Sequence, residues 1–179
     1  MTGLLRMHRW IILTTLASLA STSVMASEAC QMTLSPSAVD YGVSTRAELL
    51  ARPSGDDGSF GVRTVHLRIQ CPAARAISWS FAAPSSDALH YRWAPGRLQI
   101  RIVAARLDGA PVQWRRDVGE AGAAGLLQPG DRITAWRAGS IAAGRHLEVE
   151  LEIEARVSDA SSRVADLQRF EGHGTFQLE

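Results

Sequence analysis

An all-β sandwich of two sheets is the fold class this sequence predicts, and three observations predict it. Apolar and polar residues alternate along several short runs, the period of a strand with one buried face. Gly- and Pro-rich breaks separate those runs at short spacing, as in sandwiches rather than in alternating strand–helix folds. Beyond the N-terminal leader no stretch carries a helical period, so no helix is expected there.

The leader comes first. Arg6 and Arg9 make a basic start, Trp10 to Ala20 an apolar run, and Val24-Met25-Ala26 a small-x-small cleavage site. This predicts a signal peptide over residues 1–26 and one exported domain over 27–179. Cleavage after Ala20 is the alternative. The apolar run falls short of the roughly 20 residues that a membrane-spanning helix needs.

Export bears on the two cysteines, Cys30 and Cys71. An oxidising compartment lets them pair, and closing the loop of about 40 residues between them would stabilise the domain by roughly 4 kcal/mol on the chain-entropy view. Two buried free thiols, or a lipid anchor on Cys30, are the other readings.

The strands then follow in order. Val65, Leu67, Ile69 and Cys71 share one face of the first clear strand, and Ile77, Trp79 and Phe81 one face of the next. Leu98, Ile100 and Ile102 alternate with Gln99 and Arg101. The longest alternation runs from His146 to Val157, with Leu147, Val149, Leu151, Ile153, Ala155 and Val157 on one face. Glu148, Glu150, Glu152 and Glu154 lie on the other. Four glutamates invite a cation, but alternate strand positions are about 7 Å apart, too far for a tight oxygen shell. A solvated face that discourages edge pairing is expected instead, and no metal. Loops are expected over Arg52–Gly61, Ala83–Gly96, Gly119–Gly130, Gly139–Gly144 and Ser158–Ser162.

The chain has 19 basic residues, all arginine, and 18 acidic ones; losing the leader removes two arginines and no acid. That near balance argues against nucleic acid or an anionic membrane surface as the main partner. His66, His90, His146 and His173 lack metal-ligand spacing, and neither a phosphate loop nor a Gly-x-Ser-x-Gly elbow occurs. No catalytic residue, cofactor or enzymatic activity is expected. Tyr91, Arg92 and Trp93, in the run that starts at His90, are the candidate contact for a ligand such as a glycan. The blander reading has Trp93 closing one end of the sandwich. Trp114 and Trp136 are expected in the core.

Longer stretches carry a family pattern. Cys30 to Gly42 reads CQMTLSPSAVDYG: a first cysteine, a short strand, then Val-Asp-Tyr-Gly. The second cysteine ends the strand from Val65 to Cys71. Leu127 to Asp131 (LQPGD), Ala142 to Val149 (AAGRHLEV) and the closing Phe170 to Leu178 (FEGHGTFQL) follow. Together these resemble the pilin domain of chaperone–usher fimbriae. The resemblance implies an immunoglobulin-like sandwich lacking its last strand, whose hydrophobic groove is filled by a donated strand. It implies a periplasmic chaperone, an outer-membrane usher and a neighbouring pilin subunit as partners. It also implies passage through the periplasm to a fimbrium at the cell surface.

Carried to this chain, the groove would be lined by Val39, Tyr41 and Val43 of the first strand, which alternation puts on one face. Phe170, Phe176 and Leu178 of the last strand would face them, with Gly172 and Gly174 leaving room for a donor's side chains. The ordinary reading of these positions is core. In the family the chaperone also holds the C-terminal carboxylate, here on Glu179; the chain departs by carrying Leu178 where pilins carry a tyrosine. After cleavage at Ala26, Ser27, Glu28 and Ala29 would precede Cys30, too few for a donor strand at about 3.3 Å per residue. The expectation is therefore a tip or accessory subunit that accepts a strand and gives none. The rival expectation is a self-contained periplasmic or surface binding module with a carbohydrate or protein ligand.

Overall fold

The computed structural model describes residues 29–117 and 125–179. The leader expected over residues 1–26 lies outside the described residues, as does part of the loop expected over 119–130. In chain order the strands are β1 (Gln31–Ser35), β2 (Pro53–Ser54), β3 (Asp57–Ala76), β4 (Ser78–Ala82), β5 (Tyr91–Trp93), β6 (Gly96–Leu107) and β7 (Ala110–Pro111). They continue with β8 (Gln113–Arg116), β9 (Leu126–Leu127), β10 (Arg132–Arg137), β11 (Ser140–Ile141), β12 (Ala143–Ser158) and β13 (Thr175–Leu178). Two short helices, α1 (Arg46–Leu50) and α2 (Asp159–Ser162), interrupt them.

The pairings are antiparallel and make two sheets, so the expected all-β sandwich is what forms. The first sheet runs β1–β3–β12–β6, and β5, β9 and β7 cover the far edge of β6 piecewise. In the second, β10 lies between β8 and β4, β13 lies beyond β4, and β11 closes a hairpin on β10. The alternation read from the sequence selects the buried faces: Val65, Leu67, Ile69 and Cys71 of β3 and Leu147, Val149 and Leu151 of β12 are inside. On β6 the alternation breaks at a bulge, where Glu150 pairs with Ala104 but Leu151 with Ile102. The extra residue, Val103, is turned to solvent, and the inward set resumes at Ala105 and Leu107.

Across from these residues, Trp79 of β4 and Ile133 and Ala135 of β10 complete the main core. Leu49, Phe60, Trp93, Ala155 and Val157 form a second cluster, against which Tyr41 and Phe170 pack. Where β12 is bulged between Gly144 and His146, the carboxylate of Asp108 accepts the backbone N–H groups of Arg145 and His146, at 3.0 and 2.8 Å. Asp108 can do this because it sits with Gly109 in a two-residue hairpin turn, both at positive φ (51° and 78°).

Several expectations need correction. Residues 52–61 are not a loop but hold the β2–β3 hairpin, in which Ser54 faces Asp57. The loop expected over 83–96 contains β5, and the one over 139–144 contains β11 and the start of β12. Residues 158–162 carry α2. Helix α1 forms where none was expected, because Thr45 and Glu48 make a capping box: the Thr45 hydroxyl accepts the Glu48 N–H while the Glu48 carboxylate accepts that of Thr45. A helix of five residues is too short to show a period, but Thr-x-x-Glu was readable.

Candidate functional site

Cys30 and Cys71 are joined by a disulfide. Gln31 faces Gln70 in the β1–β3 register, so the bond occupies the next position along and fastens the residue just before β1 to β3. At its other end β1 stops before Pro36, which has no N–H to offer a ladder.

Among the described residues β1 pairs only with β3, and β13 only with β4. Trp114, Ile133 and Ala135 pack over Ile102, Ala105, Leu147 and Val149, which stacks the β8–β10 end of one sheet on the β6–β12 end of the other. The opposite ends, β1 and β13, therefore fall on the same lateral side. There Met32 and Leu34 of β1, Val39, Ile153 and Phe176 of β13 are half-buried against the main core. Met32 and Leu34 had been missed, although their alternation with Gln31, Thr33 and Ser35 was legible.

A cleft of about 620 Å³ opens between residues 39–46 and 161–171. Its floor is aromatic. Trp93 stands edge-on to Tyr41 and Phe60 with centroids 5.5 and 5.0 Å away, and Phe170 lies 5.1 Å from Trp93. The Tyr41 hydroxyl donates to the Ile153 carbonyl oxygen at 2.7 Å. Burial pushes the phenol's pKa up, and the Arg63 guanidinium over its ring opposes this. Sequence reasoning missed Leu49 and Phe60, which line the cleft from α1, where no helix was expected, and from the start of β3, inside the stretch expected as a loop.

The nominated groove residues separate. Val39, Tyr41, Val43 and Phe170 line the cleft, whereas Phe176 and Leu178 lie on β13. Val43 does not share the half-buried setting of Val39 and Tyr41; no strand forms there to impose the alternation, and it is 83 % exposed. The two glycines leave no free room. A Cβ on Gly174 would lie 2.2 Å from Phe81 Cζ, and one on Gly172 2.9 Å from the backbone oxygen of Arg92 and from Trp93 Cδ1. The chain's own residues already fill that space.

The loop nominated for ligand contact offers little to a ligand. Tyr91 is 1 % exposed and Trp93 9 %, both committed to packing, and Arg92 alone faces water. Trp114 packs half-buried on the core, but Trp136 is not a core residue: it lies under the Arg115 guanidinium, 4.3 Å from its ring centroid. On β12, Glu148 faces Arg68 and Arg106 across its two neighbouring strands, and Glu152 faces Arg101. The glutamate row is thus flanked by cations. Among the described residues no cluster of His, Cys, Asp or Glu is arranged to hold a metal, and no helix is long and apolar enough to cross a membrane. No family model, curated protein or solved structure matches this chain.

Proposed function

We propose that this chain is a pilin-like subunit whose sandwich is completed by a strand from another polypeptide. One observation carries the reading: β13 is the outer strand of its sheet, with no described strand beyond it, while half-buried apolar side chains line the same side. The reading is supported by the order β1–β3–β12–β6 opposite β10–β4–β13: taken as an immunoglobulin-like A–B–E–D sheet, with β4 as C and β13 as F, it leaves the place beside F vacant among the described strands. A strand laid along β13 would satisfy its unpaired backbone groups and set alternate side chains against Met32, Leu34 and Phe176. Left open, such an edge with apolar flanks favours aggregation. In this reading the partners are a periplasmic chaperone and usher during transit and a neighbouring subunit at the cell surface.

The test is to purify the exported chain alone and with synthetic alternating apolar peptides, following unfolding and amide exchange. A complementing peptide should raise the unfolding midpoint and slow exchange on β13, and Phe176→Asp should abolish both effects. A soluble monomer that unfolds cooperatively and gains nothing from any such strand would instead fit a self-contained binding module.

A further inference from the structure

The cleft between residues 39–46 and 161–171 has a chemistry separate from the open edge at β13. Its volume of about 620 Å³ lies within the roughly 300–1,000 Å³ of sites that enclose small ligands. The four rings of its floor hold one another at centroid distances of 5.0 to 5.5 Å, so the surface is formed before anything arrives.

The cations around it are already engaged with their own neighbours. Arg46 pairs with Asp159, and Arg169 with Glu171. The Ser162 hydroxyl donates to the Asp159 carbonyl oxygen, and Asp40 accepts the Gly42 N–H. Asp166 and Gln168 stand at the mouth, where water reaches them. An anionic ligand would lose hydration on the floor and find the nearby cations, Arg46 and Arg169, already paired. Two aliphatic side chains, Val43 and Leu167, line opposite sides of the mouth at 83 % and 88 % exposure, and would lose contact with water only when the cleft is occupied.

We propose that this cleft binds a largely apolar small molecule without negative charge, stacked on Tyr41 and Phe170, the half-buried rings of the floor, and covered by Val43 and Leu167. The site does not depend on strand acceptance.

The test uses the full exported chain and two fluorophores of one skeleton. N-phenyl-1-naphthylamine is uncharged; 8-anilinonaphthalene-1-sulfonate adds a negative charge. The neutral probe should saturate a single site and bind about tenfold more tightly than the sulfonate, or better. Leu167→Asp and Val43→Asp, both at positions already in water, should weaken the neutral probe about tenfold while leaving the unfolding midpoint in place. Ile141→Asp, on β11, should leave binding unchanged. Equal or tighter binding of the sulfonate, absence of saturation, or indifference to both lip substitutions would overturn the proposal. So would a cleft that binds an alternating apolar peptide but not the neutral probe. Strand acceptance is read at β13 and Phe176, so either idea can fail while the other stands.

Discussion

The hydroxyl of Tyr41 donates to the carbonyl oxygen of Ile153 at 2.7 Å, joining residues 112 positions apart. It ties the segment after β1, which has no strand ladder of its own, to the middle of β12. Tyr41→Phe keeps the ring in the cleft floor and removes only this bond. It should cost about 1 kcal/mol, seen as a lower urea midpoint at unchanged slope. An unchanged midpoint would mean that the bond adds nothing net.

The Cys30–Cys71 bond holds an outer strand whose other edge carries no described partner. Reduction, or Cys30→Ser with Cys71→Ser, should cost about 2–4 kcal/mol. Amide exchange across residues 31–35 should then rise well before that of β12, and the oxidised protein should show no thiol to Ellman's reagent. Uniform loosening of the whole sandwich would contradict a clamp local to β1.

Gly174→Ala would place a methyl group 2.2 Å from Phe81 Cζ, inside a cluster where Phe81 also meets Phe176 and Tyr91 at 4.7 and 4.9 Å. The expected loss is about 1–3 kcal/mol from overpacking. Gly42→Ala meets nothing within 4 Å and carries only the strain of φ +69°, so its loss should be nearer 1 kcal/mol. Thermal midpoints of the two variants compare these causes directly.

Asp108 is held below the usual carboxylate range, first by the N–H of His146 and then by that of Arg145. A folded-state pKa that is depressed gives stability that is full above the ordinary value of 3.8 and is lost as pH falls through the depressed one. Asp108→Asn should therefore lower the thermal midpoint at pH 7. The gap to the parent should close as pH drops from about 4 toward 2. A constant gap over that range would assign the effect to shape rather than charge.

Much of the fold was legible because burial in a half-exposed strand leaves a period of two. Val65 to Cys71 and Leu147 to Val157 show it without interruption, and both segments lie where that pattern puts them. The bulge at Val103 was not legible, since an extra residue in one strand is defined by the register of its partner. The Arg52–Gly61 hairpin was hidden by turn-forming residues that also form a strand start. Of the site, Tyr41 and Phe170 were nominated, while Leu49, Phe60 and Leu167 come to the same cleft from segments with no shared pattern.

By itself the sequence determined an all-β chain with inward faces on its main strands and two cysteines able to meet. Those follow from local alternation and from residue chemistry. Only the tertiary structure decided that β1 and β13 are outer strands on one side, that Gly172 and Gly174 are filled by the chain's own aromatics, and that Tyr91 and Trp93 are buried. The reason is physical: alternation says which face of a strand is apolar, but not which strand lies beside it. Neighbours are chosen by contacts between distant segments, and open edges and clefts exist only once those contacts are made.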